Sequence, residues 1–134
     1  MTFRTLLIIK AVVCLVFGIF LLAAPAWLFG LLGAAISGTG LFPAREYGAA
    51  MIGTLVLCWL ARGVQASDAR AAILLDLLVY DAIGVVITLA VVLPGGLNAL
   101  GWGIVVVYAF FAVGAGYVLL KEKPLQAGRA AAAR

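Results

Sequence analysis

The sequence predicts an all-α integral membrane protein: a single antiparallel four-helix bundle over residues 1–134 with both termini cytoplasmic and an interfacial segment after helix one. Three observations predict it. Hydrophobic residues make up 67% of the chain and charged residues 10%, against about a quarter charged in a soluble domain. The apolar residues fall into four runs, each near the ~20 residues a helix needs to cross a hydrocarbon layer about 30 Å thick. Lys and Arg collect in alternate connections, as they do when one side of a membrane retains positive charge. A net charge of +4 would suit nucleic acid in a soluble protein. Here the basic residues cluster at helix ends, so the lipid bilayer is the expected partner and nucleic acid is not.

The first span, Thr5 to Ala24, is interrupted only by Lys10 and stops at Pro25, whose missing N–H and fixed φ end a helix. Arg4, the apolar run and Ala24-Pro25-Ala26 also have the look of a secretory signal with its cleavage site. Against that, Lys10 interrupts the pattern and the segment is long enough to span; the later spans keep their orientation either way. Between Pro25 and Pro43 lie Trp27, Leu28, Phe29, Leu31 and Phe42 among glycines, too apolar for a free loop, so this segment is expected to lie in the membrane interface.

The second span, Ala44 to Ala61, has Arg45 and Glu46 in its first turn and Arg62 closing it. The third, Ala69 to Leu93, carries Asp76 and Asp81 and ends at the turn Pro94-Gly95-Gly96. The fourth, Leu97 to Leu120, stops at Lys121, Glu122, Lys123 and Pro124, and the Ala-rich tail Gln126–Arg134 is expected to fray at the membrane surface.

Four spans place Arg4, Lys10, Arg62, Arg70, Lys121, Lys123, Arg129 and Arg134 toward one side and only Arg45 toward the other. The rule that positive loops stay inside then makes both ends cytoplasmic. Trp27 and Trp102 fall near the outer span ends and Trp59 near the inner one, as in an aromatic belt.

Asp76 and Asp81 most need explaining. A central Asp costs about 2.5 to 3.5 kcal/mol to insert, while each Leu, Ile or Val returns about 0.3 to 0.6. The fourteen such residues from Ile73 to Leu93 therefore roughly offset two acids, and neither acid is expected to face lipid unpaired. Five positions apart, they point about 140° from each other. Counting depth from the span centres puts Lys10 about 6 Å and Asp76 about 7.5 Å toward the cytoplasm, so the expected structural ion pair is Lys10 with Asp76. The alternative has Lys10 snorkelling inward on its own.

Asp81 falls near the midplane with no cation at its depth. The stripe Leu77, Asp81, Gly84, Thr88 is expected to face Tyr47, Met51, Thr54 and Cys58 of helix two and Tyr108 and Ala112 of helix four, with Tyr108 or Thr54 able to bond the acid. Asp81 is either a proton- or ligand-orienting group or a polar contact fixing helix register. Arg45, Glu46 and Tyr47 at an outer mouth could hold an anionic headgroup, or be ordinary interfacial end charges. Ala49 with Gly53 and Ala112 with Gly116 give the spacing of small residues that lets helix backbones approach.

With no histidine and two cysteines, ordinary haem, zinc and cluster ligation have no ligand set; no cofactor or metal is expected. Cys14 and Cys58 differ in depth and read as small apolar residues rather than a disulfide. There is no phosphate loop, nucleophile elbow or set of metal-spaced acids, so no catalytic residue is assigned.

The basic start of helix one, the Pro-bounded apolar first loop and the run Arg45-Glu46-Tyr47-Gly48 opening helix two resemble the small bacterial DoxX-like four-helix membrane proteins. The resemblance implies a multi-pass protein of the bacterial cytoplasmic membrane, in a superfamily partly associated with quinol-linked redox complexes, and supplies no catalytic residue. Three functions follow in order: an accessory or scaffold subunit packing against other membrane subunits or itself, with no chemistry of its own; binding of a lipid, quinone or other apolar molecule within the bundle, oriented by Asp81 and Arg45; and proton-coupled transport through Asp81.

Overall fold

The computed structural model describes residues 1–122, whose regular structure is entirely helical. The expectations for Lys123, Pro124, Arg129, Arg134 and the Gln126–Arg134 tail lie outside the described residues. In chain order the elements are α1 (Phe3–Ala23), a short α2 (Pro25–Leu31), a 3₁₀ turn (Gly38–Gly40), α3 (Leu41–Ala61), α4 (Asp68–Val92) and α5 (Gly101–Glu122).

Local chemistry sets the boundaries. Thr2 caps α1 by accepting from the Thr5 N–H, and Pro25 begins α2 at a first-turn position, where its lack of an N–H costs nothing. The same tolerance places Pro43 inside the first turn of α3, which starts at Leu41 rather than at the expected Ala44. Ser67 caps α4, its hydroxyl accepting from Arg70 N at 3.3 Å, and Asp68 in the first turn suits the positive end of the helix dipole. The expected start of the last span at Leu97 is corrected to Gly101 because Asn98 is engaged elsewhere. Its backbone N–H donates to Leu32 O and its side-chain amide to Leu31 O, both at 2.8 Å, while its side-chain oxygen accepts from Leu100 N at 2.9 Å. That residue stitches the α4–α5 turn to the end of α2.

The long helices pair closely as α1 with α3 and α4 with α5. In the first pair a Cβ at Gly48 would lie 2.9 Å from Leu21 Cβ, and one at Gly18 would lie 2.9 Å from Ile52 Cδ1. Rising numbers in α1 thus meet falling numbers in α3, and the two run antiparallel. In the second pair a Cβ at Gly84 would lie 2.5 Å from the Tyr108 ring and one at Gly101 3.0 Å from Val92 Cγ2, again antiparallel. These are not the glycines the small-residue spacing singled out. Nothing lies within 4 Å of a Cβ placed at Gly53, and at Gly116 the nearest atom is Leu78 Cδ1 at 3.7 Å. The close approach in α3 is through Gly48, about 100° round the helix from Ala49.

Phe3, Leu6, Leu7, Leu74, Leu77 and Phe111 form the heart of the buried core, joining α1, α4 and α5 near the start of the chain. At that end the Arg70 guanidinium lies 4.1 Å from the Phe3 ring and 2.5 Å from the Glu122 carboxylate. The starts of α1 and α4 and the end of α5 therefore share one end of the molecule. The outer surface is apolar: Val12, Leu60, Ile83, Val86, Val113 and Leu120 are each more than half exposed. Among the described residues three helices, α1, α4 and α5, are long and apolar enough to cross a membrane; Arg45 and Glu46 in its first turns lower the apolarity of α3.

Candidate functional site

The buried residues of α1 include Phe3, Leu7, Lys10, Cys14, Gly18 and Leu21, spaced by three and four, so Lys10 sits on the inward stripe of its helix. The corresponding stripe of α4 runs through Leu74, Leu77, Asp81, Thr88 and Val92. The two stripes meet. Lys10 Nζ donates to Asp81 Oδ1 at 2.5 Å, with the side chains 4% and 0% exposed. The ammonium also lies 4.4 Å from the Phe111 ring centroid and 5.1 Å from that of Tyr80, where ring faces replace part of the water it has lost.

The expected Lys10–Asp76 pair is therefore corrected: Lys10 is held by Asp81, and Asp76 is exposed on the outer face of α4. Depth did not decide between them, because a lysine side chain reaches about four residues of helix rise. Facing did, and only one of two acids about 140° apart can point at α1. The tilt of Cα–Cβ toward the helix start further lowers the Asp81 carboxylate toward Lys10.

Beside the pair lies a cluster of phenols. The Tyr47 hydroxyl of α3 is hydrogen-bonded to the Tyr80 hydroxyl of α4 at 2.5 Å and to the Tyr108 hydroxyl of α5 at 2.6 Å. The expected bond from Tyr108 or Thr54 to Asp81 does not form: Tyr108 is engaged with Tyr47, and Thr54 donates back to Ala50 O at 3.0 Å. Asp81 Oδ2 is buried and has no hydrogen-bond partner among the described residues.

This polar layer forms one part of the wall of a cavity of about 310 Å³. Lys10, Cys14, Tyr47, Tyr80, Asp81 and Tyr108 line the polar part, and Thr54 and Thr88 add hydroxyls. The remaining wall is hydrocarbon and aromatic, from Phe17 and Leu21 of α1, Met51 of α3 and Ile104 of α5, with Leu28 and Phe29 of α2 closing over it. The Asn98 stitch to Leu31 and Leu32 holds that cover in place. At the seam between α3 and α4 a second, more open pocket is lined by Tyr47, Tyr80, Ile83, Gly84 and Tyr108. The Tyr47–Tyr80 bond spans that seam.

The structure thus brings Asp81, Tyr47, Tyr108, Met51, Thr54 and Thr88 to one cavity, as the stripe on α4 implies. It does not bring Arg45 or Glu46 there; both are exposed on α3. Cys14 lines the cavity, Cys58 is buried in the core, and both thiols are free. Sequence reasoning missed Tyr80 and Phe111. Tyr80 lies off the buried stripe and its signal is only that it adjoins Asp81, while Phe111 carries none beyond the need of a membrane-depth lysine for an aromatic face. The chain matches no protein-family model, no curated protein and no solved structure.

Proposed function

We propose that the protein is a four-span protein of the bacterial cytoplasmic membrane that binds a small apolar molecule bearing a polar head. The head sits against the Lys10–Asp81 pair and the three phenols, and the body fills the apolar remainder of the cavity. The observation that carries this reading is Asp81, which lines a mostly apolar cavity and whose buried Oδ2 has no hydrogen-bond partner among the described residues. Pockets of about 300 to 1,000 Å³ with mostly apolar walls and a few convergent polar groups are the usual form of small-molecule sites. Many lipids, and quinones in their reduced quinol form, have the required division into head and tail. The positive charges at the Arg70–Glu122 end support the cytoplasmic placement of both termini.

Native mass spectrometry and solvent extraction of the full-length protein in nanodiscs made from its own membrane test this. The expected result is one bound apolar molecule per chain, largely lost from a Lys10→Met/Asp81→Leu double variant. A protein that emerges empty and takes up no added apolar probe would sink the proposal.

A second reading, as an accessory subunit, is favoured by Asp76. It lies about 12 Å into α4 yet faces outward, where a carboxylate on hydrocarbon is costly and a cation or polar group of a neighbouring membrane protein would cover it. A single membrane protein that co-purifies stoichiometrically and is lost on Asp76→Leu would support this role. Transport through Asp81 has no such observation behind it.

A further inference from the structure

From the unspent charges and hydrogen bonds of the cavity, and resting on its being a binding site, we infer that the ligand's head is neutral and donates a hydrogen bond: an apolar alcohol or phenol rather than an acid, an amine, an ester or a carbonyl compound. The charge argument comes first. Lys10 and Asp81 are the charged residues lining the cavity, and they neutralise each other at 2.5 Å. A third charge brought into this water-poor space would have no counter-ion, which is costly in a medium of low dielectric.

Hydrogen-bond bookkeeping then selects the head. Lys10 occupies Oδ1, and Oδ2 is left with lone pairs and no donor. Asp81 lines the cavity and its χ2 torsion is broad, so a partial rotation, with the flexible Lys10 side chain following Oδ1, brings the unpartnered oxygen to the ligand. Only a group with an O–H or N–H satisfies it; an ether, ester or ketone offers acceptors alone. The phenols supply the complementary half. Three hydroxyls share two hydrogen bonds, so one O–H remains to be donated. A hydroxyl, with one proton and two lone pairs, answers both demands at once.

The test uses full-length protein in nanodiscs and three probes of matched apolar body: 4-hexylphenol, its methyl ether 4-hexylanisole, and 4-hexylbenzoate. Relative occupancy is read by competition native mass spectrometry at equal membrane concentration. The phenol should outcompete the ether and the benzoate by about tenfold or more, as befits one hydrogen bond to a charged acceptor. In Lys10→Met/Asp81→Leu, which removes both charges without leaving either alone, phenol and ether should bind within about twofold. Equal binding of phenol and ether to the wild type, or preference for the benzoate, overturns the inference about the head while the cavity remains a binding site. Failure of all three probes, with no endogenous ligand, overturns both readings together.

Discussion

Lys10 and Asp81 meet at 2.5 Å although 71 positions separate them, and their bond ties the first long helix to α4, a helix not in its own close pair. Each residue is nearly or fully buried, so removing one leaves the other charge without a partner in a place water does not reach. Lys10→Met alone and Asp81→Leu alone should each cost about 3 to 5 kcal/mol, and the double variant should return to wild-type stability or above it, since well-packed apolar groups do as well as a buried pair. Asp76→Asn removes a carboxylate from the outer face of α4 and leaves no buried partner behind, so it should leave stability unchanged or raise it. Thermal unfolding in one detergent orders the four proteins. If Asp76→Asn matched the loss seen in Lys10→Met, the assignment of Asp81 as the partner would fall.

Much of this arrangement is legible in the residues themselves. The four long helices follow from apolar runs bounded by Pro25, Pro43, Arg62 and the Pro94 turn, and the stripe through Leu77, Asp81 and Thr88 points to the buried face of α4 because helical periodicity is read directly from spacing. The partner of Lys10 is not legible in the same way. α1 is apolar nearly all round, so hydrophobicity does not mark its inward face, and counting residues from assumed span centres fixes relative height only to within a helical turn. The phenol cluster escapes for a different reason. Tyr47, Tyr80 and Tyr108 come from three helices, and their meeting depends on rotations and crossing points that no single helix encodes.

Tyr47 is the middle of that cluster, bonded to both of its neighbours. Tyr47→Phe deletes one oxygen and two hydrogen bonds with almost no change in shape, whereas Tyr80→Phe and Tyr108→Phe delete one bond each. At about 0.5 to 1.5 kcal/mol per bond, Tyr47→Phe should destabilise by about 1 to 3 kcal/mol and exceed either of the other two. Tyr80→Phe and Tyr108→Phe, with one bond lost apiece, should each fall toward the lower part of that range. Unfolding midpoints of the three variants in the same lipid or detergent check the order; a Tyr47→Phe effect no larger than that of Tyr80→Phe would remove Tyr47 from the centre.

Two glycines separate close packing from mere smallness. A methyl group at Gly84 would meet the Tyr108 ring at 2.5 Å, whereas one at Gly53 would meet nothing within 4 Å. Gly84→Ala should push the ring aside, strain its bond to Tyr47 and cost about 1 to 3 kcal/mol. Gly53→Ala should be neutral or stabilise by up to about 1 kcal/mol through helix propensity. Opposite signs in paired melting curves are the expected result, and a neutral Gly84→Ala would mean that α4 and α5 are not held as close as this contact requires.

The crossing of the membrane by α3 is the step on which the topology turns, because Arg45 and Glu46 make it less apolar than its three companions. Its packing along α1 from Gly48 to Ile52 places it at the same depth as a helix that is apolar enough to span, and its pair of charges falls at one end, where headgroups can solvate them. Exposed positions on either side of α3 decide the matter: Thr39 precedes it and Gln65 follows it. In a background with Cys14 and Cys58 replaced by alanine, the proposed topology expects a membrane-impermeant maleimide to label Thr39→Cys from the outside of intact cells and Gln65→Cys only in inverted vesicles, because Arg62, Arg70 and Lys121 lie toward the Gln65 end, the end that the positive-inside rule assigns to the cytoplasm. Labelling of both from one face would show that α3 does not cross, and would leave the cavity between α1, α3, α4 and α5 without the bilayer around it that an apolar ligand needs for access.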